Sequence, residues 1–291
     1  MKIFFAGYLD AQWMTGWQRC QVLKELGNEV YEFNQHKSWK VSSTQTILKY
    51  VTNQFFFDTK KINVFNQIFL NEFIAYKPEV AWIEKSLLLL PETLEKAREL
   101  FPNCIFICFQ EDDPFSPMNI AELPVWKNFI DSIPAYDIHF VWREFNVKEF
   151  IDHGAQNVYL YRHGYYKHIF HPFLKNINNY NYEHDVLFVG YARDKRKADI
   201  YNLIIQEKIP VNIYGGRWNR TLAYYLKRDL FHPPIFGKDY VKKIWYSKIS
   251  LGFVSAANRD QFTLRTFEIP ACKGFFFSTK NRQTSRDIRG G

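Results

Sequence analysis

Short apolar runs alternate with helical patterns along most of this chain, and that alternation restricts the fold more than any other feature. In the first half, "KIFFAG" (2–7), "NEVYEFN" (28–34), "EVAWIEK" (79–85), "CIFICFQ" (104–110), "YDIHFVW" (136–142) and "NVYLYRH" (157–163) read as strands. Between them, "GWQRCQVLKELG", "LPETLEKARELFP" and "REFNVKEFIDHG" read as helices. The first of these puts Cys20, Leu23 and Leu26 near one face, and Gly27 is suited to end it. The stretch 41–75 reads as helical, with exposed aromatics at 55–57. Repeated β-α-β of this kind is the mark of a parallel sheet with helices on both faces.

Residues 172–184, "PFLKNINNYNYEH", break the pattern: they are Asn-rich, begin with Pro and have no apolar period. They are expected to link a first domain, 1–171, to a second, 185–291. After them the alternation restarts with "DVLFVGY", "KADIYNLIIQE", "PVNIYGG", "LAYYLKRDL", "KISLGFVS", "LRTFEIPAC" and "GFFFST". The expected fold class is therefore α/β, as two Rossmann-like domains facing across a cleft. No internal repeat relates the halves.

At 291 residues and 47% hydrophobic, the chain is long and apolar enough for such cores. No apolar run reaches the ~18 residues of a membrane span. "MKIFFAGYLDAQW" turns polar too soon for a signal peptide and reads as a buried first strand. Cys20, Cys104, Cys108 and Cys272 form no CxxC pair, and are expected to be reduced core thiols of a cytoplasmic protein. The formal charge of +8 permits nucleic acid, an anionic membrane surface or a phosphorylated small molecule as partner. Nucleic acid is disfavoured, because Lys and Arg are spread along the chain without a recognition motif.

Ligands of open α/β sheets bind beyond the carboxyl ends of the strands. That rule selects Gly7, Glu84, Glu111, Asp112, Asp113, His163, Gly190, Gly215 and Asp260. In "FVGYARDKRKADIY" a strand ends at Gly190, and Arg193, Lys195, Arg196 and Lys197 open the next helix. Cations there oppose the helix dipole, and a phosphate would relieve the conflict; a solvated basic loop is the plainer alternative. There is no GxGxxG and no P-loop. In "EDDPF" (111–115), carboxylates are candidates for a base, for orienting an acceptor hydroxyl or, with Glu111 and Asp113 spaced as a chelating pair, for a metal, or Asp113 merely caps a turn before Pro114. His163 is the best placed of the histidines in "RHGYYKHIFHP". Arg265 and Glu268 fall at i and i+3 of a helix: Glu268 either accepts ribose hydroxyls or simply pairs with Arg265.

"RTFEIPACKGFFF" resembles the R-x-FE-x-PACG segment of GT-B glycosyltransferases, in particular their spore-maturation-protein-like branch. "DVLFVGYARDKR", "VNIYGGRW" and "FGKDYVKKIWYSKISLGF" resemble further segments of that family in the same order. The resemblance covers 185–278 best. It implies a glycosyltransferase that moves a sugar from a nucleotide-diphospho-sugar to an acceptor hydroxyl, without a metal or other cofactor. It implies that Glu268 contacts the ribose and Arg196, with Arg193, the diphosphate. Thr263 and Arg265 are implied near the phosphates, and Asp260 near the donor sugar. Lys273 separates Cys272 from Gly274, so "ACKG" replaces the family's "ACG", and the family normally continues past the "FFFST" strand, so the resemblance implies a second domain that is truncated here. A non-catalytic nucleotide or sugar binder of the same fold is the alternative. The acceptor implied is a glycan, protein or lipid-linked group.

Overall fold

A computed structural model describes residues 1–39, 59–117, 123–172, 181–193, 195–255 and 258–278. The expected helix at 41–75 is thus described only from Thr59, and its aromatics at 55–57 lie outside the described residues, as does most of the 172–184 linker. The chain divides into two compact units, Met1–Arg162 and His163–Gly291. The division lies ahead of the linker because 163–172 go with the second unit. There Phe170 is buried in the core formed with Tyr240, Ile244 and Cys272.

In the first unit, β1 (Lys2–Gly7), α1 (Thr15–Glu25), β2 (Glu29–Asn34), α2 (Gln35–Trp39), α3 (Thr59–Tyr76), β3 (Val80–Glu84), α4 (Pro91–Leu100), β4 (Ile105–Gln110), α5 (Leu123–Asp131), β5 (Ile138–Val141), α6 (Glu144–Asp152) and β6 (Val158–Leu160) follow one another. The six strands pair in parallel in the order β2-β1-β3-β4-β5-β6. Aromatic rings line both faces of this sheet: Trp82 stacks with Phe5, Phe109 and Phe140 on one, and Phe4 is the centre of a second cluster on the other. Phe4 sits within about 6 Å, ring centre to ring centre, of Tyr31, Phe33, Phe69 and Phe73, in edge and stacked geometries that suit the ring quadrupoles. Gly27 adopts a left-handed φ of +82° just past α1, as a helix-ending glycine should. Leu26, expected on the buried face, is the residue at which α1 ends and is exposed.

The second unit contains β7 (His184–Val189), α7 (Arg196–Tyr201) running into a wide turn at Asn202–Gln206, β8 (Val211–Tyr214), α8 (Leu222–Leu226), β9 (Phe231–His232), α9 (Gly237–Trp245), β10 (Ser247–Gly252), α10 (Arg265–Ala271) and β11 (Phe276–Ser278). Its parallel sheet runs β11-β10-β7-β8-β9. In α9, Tyr240, Val241 and Ile244 are buried at i, i+1 and i+4, the stripe that docks a helix on a sheet. The expected α/β class, two Rossmann-like units of the GT-B type, is the one found. No described helix is long and apolar enough to cross a membrane.

Candidate functional site

The strand order of each unit reverses once. In the second unit the chain passes from β7 outward through β8 to β9, then returns to lay β10 on the other side of β7. The carboxyl ends of β7 and β10 therefore flank the switch point, where open α/β sheets hold ligands. The loop after β7 carries Gly190, Arg193 and Arg196, and the segment after β10 carries Asp260, Thr263, Arg265 and Glu268. These two strands are hydrogen-bonded neighbours, so their trailing segments leave the sheet side by side. Sequence positions some 70 residues apart are thus brought to one edge of one unit.

The glycines there have a steric reason. A Cβ on Gly215 would lie 1.9 Å from the Gly190 carbonyl oxygen, and one on Gly216 would lie 2.6 Å from the Tyr191 ring. The Trp218 indole N–H donates to the same Gly190 carbonyl at 2.9 Å. "VNIYGGRW" is therefore a device that holds the ends of β7 and β8 together. Arg193 is exposed, with its guanidinium 5.8 Å from the Tyr191 ring centre. Arg196 is half-buried at the first residue of α7.

Helix α10 begins with a reciprocal cap. Arg265 N–H donates to Thr263 Oγ1 at 3.4 Å, and Thr263 N–H donates to Thr266 Oγ1 at 3.3 Å. Asp260 is half-buried, with its N–H bonded to the Ser255 carbonyl at 3.0 Å. One turn into the helix, Glu268 is 6% exposed. Its Oε2 accepts from Arg265 Nη1 and, at 3.3 Å, from the Tyr240 hydroxyl. The Arg265 guanidinium also lies 4.6 Å from the Tyr240 ring centre. Burial raises the Tyr240 pKa well above its ordinary value, so its hydroxyl remains a donor. Burial opposes the Arg265 charge, but the neighbouring Tyr240 and Glu268 outweigh it and hold the guanidinium protonated. Both bonds to Glu268 end on Oε2; its Oε1 has no partner among the described residues. The expected Arg265–Glu268 pair exists, and it leaves one carboxylate oxygen available. Tyr240 was not singled out in the sequence; the signal present was its place in the apolar stripe of α9.

The first unit has its switch point between β1 and β3, and a charged cluster occupies it. Arg19 donates from Nε to Glu84 Oε1 at 2.5 Å, from Nη2 to Glu84 Oε2 at 2.9 Å and from Nη1 to Glu111 Oε1 at 2.7 Å. Thr15, at the start of α1, bridges the Arg19 Nη2 and the Glu111 Oε2. A Cβ on Gly16 would lie 2.9 Å from Glu84 Oε2, so the carboxylate sits against the first turn of α1. That is the place where a phosphate would sit in a dinucleotide-binding unit. Burial pushes the Glu84 pKa up, and Arg19 pulls it back. The protein's own carboxylate thus fills the anion position of the first unit, whereas the second unit presents cations at its own. Sequence reading placed Glu84 and Glu111 after strands but missed Arg19, whose partners lie 65 and 92 residues away.

Asp113 is completely buried, and its Oδ1 accepts from Phe115 N–H at 3.2 Å and Asn146 Nδ2 at 3.0 Å. These bonds tie the turn before Pro114 to α6. Asp112 pairs with Lys85. His163 is buried at the start of the second unit. Among the described residues no group of three His, Cys, Asp or Glu side chains is placed to hold a metal ion. Burial raises the thiol pKa of Cys20 and Cys272 to about 12 and that of Cys104 to about 11, far from a thiolate nucleophile. An apolar cavity of about 360 Å³ lies on one face of the second sheet, lined by Val186, Leu203, Val211, Ile249 and Phe277. It lacks the cations and capped helix start of the switch point, so we place the candidate site at the switch point.

Residues 196–286 match the glycosyl transferase-like family Glyco_trans_1_2. No curated protein is significantly similar in sequence. The fold is similar to that of an Escherichia coli structure described as trehalose-6-phosphate bound with UDP-2-fluoro glucose (TM-score 0.61, 14% identity, 94% of this chain and 82% of that one). It is also similar to the α,α-trehalose 6-phosphate synthase of Burkholderia multivorans (TM-score 0.57, 11% identity, 93% and 79%). A third similar structure is a putative UDP-N-acetylglucosamine 2-epimerase of Listeria monocytogenes (TM-score 0.52, 9% identity, 86% and 73%).

Proposed function

We propose that this protein is a glycosyltransferase that takes a sugar from a nucleotide-diphospho-sugar bound at the second unit and passes it to an acceptor hydroxyl. The observation that carries the reading is Glu268. It is a nearly buried carboxylate, fixed through one oxygen by Arg265 and Tyr240, with the other oxygen unclaimed at a switch point. A ribose offers the two neighbouring hydroxyl donors that such an oxygen accepts. Arg196, with Arg193, would take the diphosphate, and Asp260 would lie near the donor sugar. Departure of the nucleoside diphosphate leaves positive charge on the sugar and negative charge on the phosphate. Arginines and oriented N–H groups stabilise the latter, so the transfer is proposed to need no metal.

The match over 196–286 and the fold shared with a UDP-2-fluoro-glucose complex support this reading. A thermal-shift panel of UDP-, GDP-, ADP- and dTDP-sugars, followed by measurement of diphosphate release with candidate acceptors, tests it. One nucleotide class should raise the melting temperature, and release should depend on acceptor and survive EDTA. Stabilisation without release would make the protein a nucleotide-sugar binder. Release without acceptor would show hydrolysis of the donor rather than transfer. Loss of release in EDTA with rescue by manganese would overturn metal independence.

A further inference from the structure

Helix α8 is built the wrong way round for a helix facing water. Its inward side is Ala223, which is buried, and Tyr224, whose ring meets Phe231 edge-on at 5.5 Å. Its outward side is Leu222, Tyr225 and Leu226, which are 58%, 72% and 52% exposed. These three lie at i, i+3 and i+4, on one helical face. A surface helix ordinarily turns polar residues outward, so an apolar outer stripe is the exception. Four cations frame it in sequence: Arg217, Arg220, Lys227 and Arg228, against one carboxylate, Asp229. All four are exposed, and the Arg228 guanidinium lies 5.8 Å from the Tyr224 ring centre, at the end of the helix. The segment is tied to the end of β7 through Trp218, whose indole N–H donates to the Gly190 carbonyl.

We propose that segment 217–230 is a docking patch for an anionic membrane surface. Leu222, Tyr225 and Leu226 would enter the headgroup boundary, and Arg217, Arg220, Lys227 and Arg228 would meet lipid phosphates. Two leucines and a tyrosine flanked in sequence by exposed Lys and Arg have the chemistry of an interfacial element, since tyrosine favours the headgroup level and cations favour anionic lipid. Three apolar side chains fall well short of the ~800 Å² per partner that a specific protein interface buries. Lipid needs no matching shape, so a small apolar stripe with cations before and after it in sequence suffices. The overall charge of +8 adds long-range attraction of the same sign. The patch does not depend on the transfer reading, because none of its residues is placed at the nucleotide.

Co-sedimentation of the whole protein with lipid vesicles tests the proposal. Vesicles of phosphatidylcholine with about a third phosphatidylglycerol should bind the protein at least tenfold more strongly than pure phosphatidylcholine. Half-molar salt should weaken that binding, because surface charge is then screened. Leu222→Glu with Leu226→Glu should reduce the partition at least tenfold with an unchanged melting temperature, both side chains being exposed. Lys227→Gln with Arg228→Gln should remove the preference for anionic vesicles. Equal binding to both vesicle types, no binding, or full binding by the double-Glu variant would overturn the proposal. A concentration-dependent dimer in sedimentation velocity that the double-Glu variant abolishes, with no vesicle binding, would assign the stripe to a second copy instead.

Discussion

Replacing Glu268 by Gln keeps the shape of the side chain and removes its charge. In the free protein the carboxylate serves Arg265 and Tyr240 through Oε2 alone. A glutamine oxygen still accepts from the Tyr240 hydroxyl, and Arg265, whose side chain is 28% exposed, keeps water and its stack on the Tyr240 ring. The stability cost is therefore that of weakening one charge-assisted bond, ~1 kcal/mol, or about 2–4 °C in Tm. The effect on nucleotide binding is larger. Oε1 would receive two ribose hydroxyls, and weakening these charge-assisted bonds costs ~1.5–3 kcal/mol, roughly 10- to 150-fold in Kd. Titration calorimetry with UDP and with 2′,3′-dideoxy-UDP isolates the effect. Wild-type protein should prefer UDP by about that factor, and Glu268→Gln should lose the preference while its affinity for the dideoxy nucleotide stays the same. If Tm falls steeply and the preference for UDP survives, Glu268 is a scaffold residue and the ribose assignment is wrong. If wild-type protein shows no preference, the hydroxyls are not read at this site at all.

Arg196→Ala should weaken nucleoside diphosphate binding by ~1.5–3 kcal/mol while free nucleoside binding changes little; equal losses for both would refute a diphosphate contact. Gly215→Ala places a methyl 1.9 Å from the Gly190 carbonyl, so β7 and β8 must separate at their ends; Tm should fall by several degrees, for a cost of ~1–3 kcal/mol, and an unchanged Tm would refute that packing. His139 is completely buried, and burial lowers its pKa from 6.5 to about 4, against the raising effect of its bond to the Ile133 carbonyl. A depressed folded pKa gives stability that is whole above pH 6.5 and is lost as pH falls toward 4, by up to about 3 kcal/mol. Urea midpoints at pH 7 and 4.5 should therefore differ more for wild-type protein than for His139→Phe, and parallel pH profiles would exclude His139 as the cause.

Ten of the strands could be read from short apolar runs because burial on a sheet imposes a local pattern on the residues of a strand. The helix end at Gly27 was legible for a similar reason, since a left-handed φ is written into the residue type. Strand β9, two residues long, carries too little pattern to be seen. Helix α5 was missed as well, its first three residues falling in "LPV", which reads as readily as a strand or loop. At the candidate site, the Arg265–Glu268 pair was visible because three residues along a helix is a local distance. The oxygen left free on Glu268 was not visible, because it depends on Tyr240, 28 residues away on another helix. Arg19 was hidden in the same way: it looks like a solvated helix cation until β3 and β4 bring Glu84 and Glu111 to it. The sequence by itself determined ten of the strands, most of the helices and which residue types follow the strands. Only the tertiary structure decided the order β11-β10-β7-β8-β9, and so put the residues after β7 and β10 at one switch point. Periodicity records whether a face is buried and not against which neighbour. Strand order, ion-pair partners and the outward turn of Leu222, Tyr225 and Leu226 are properties of chain crossings that no local window contains.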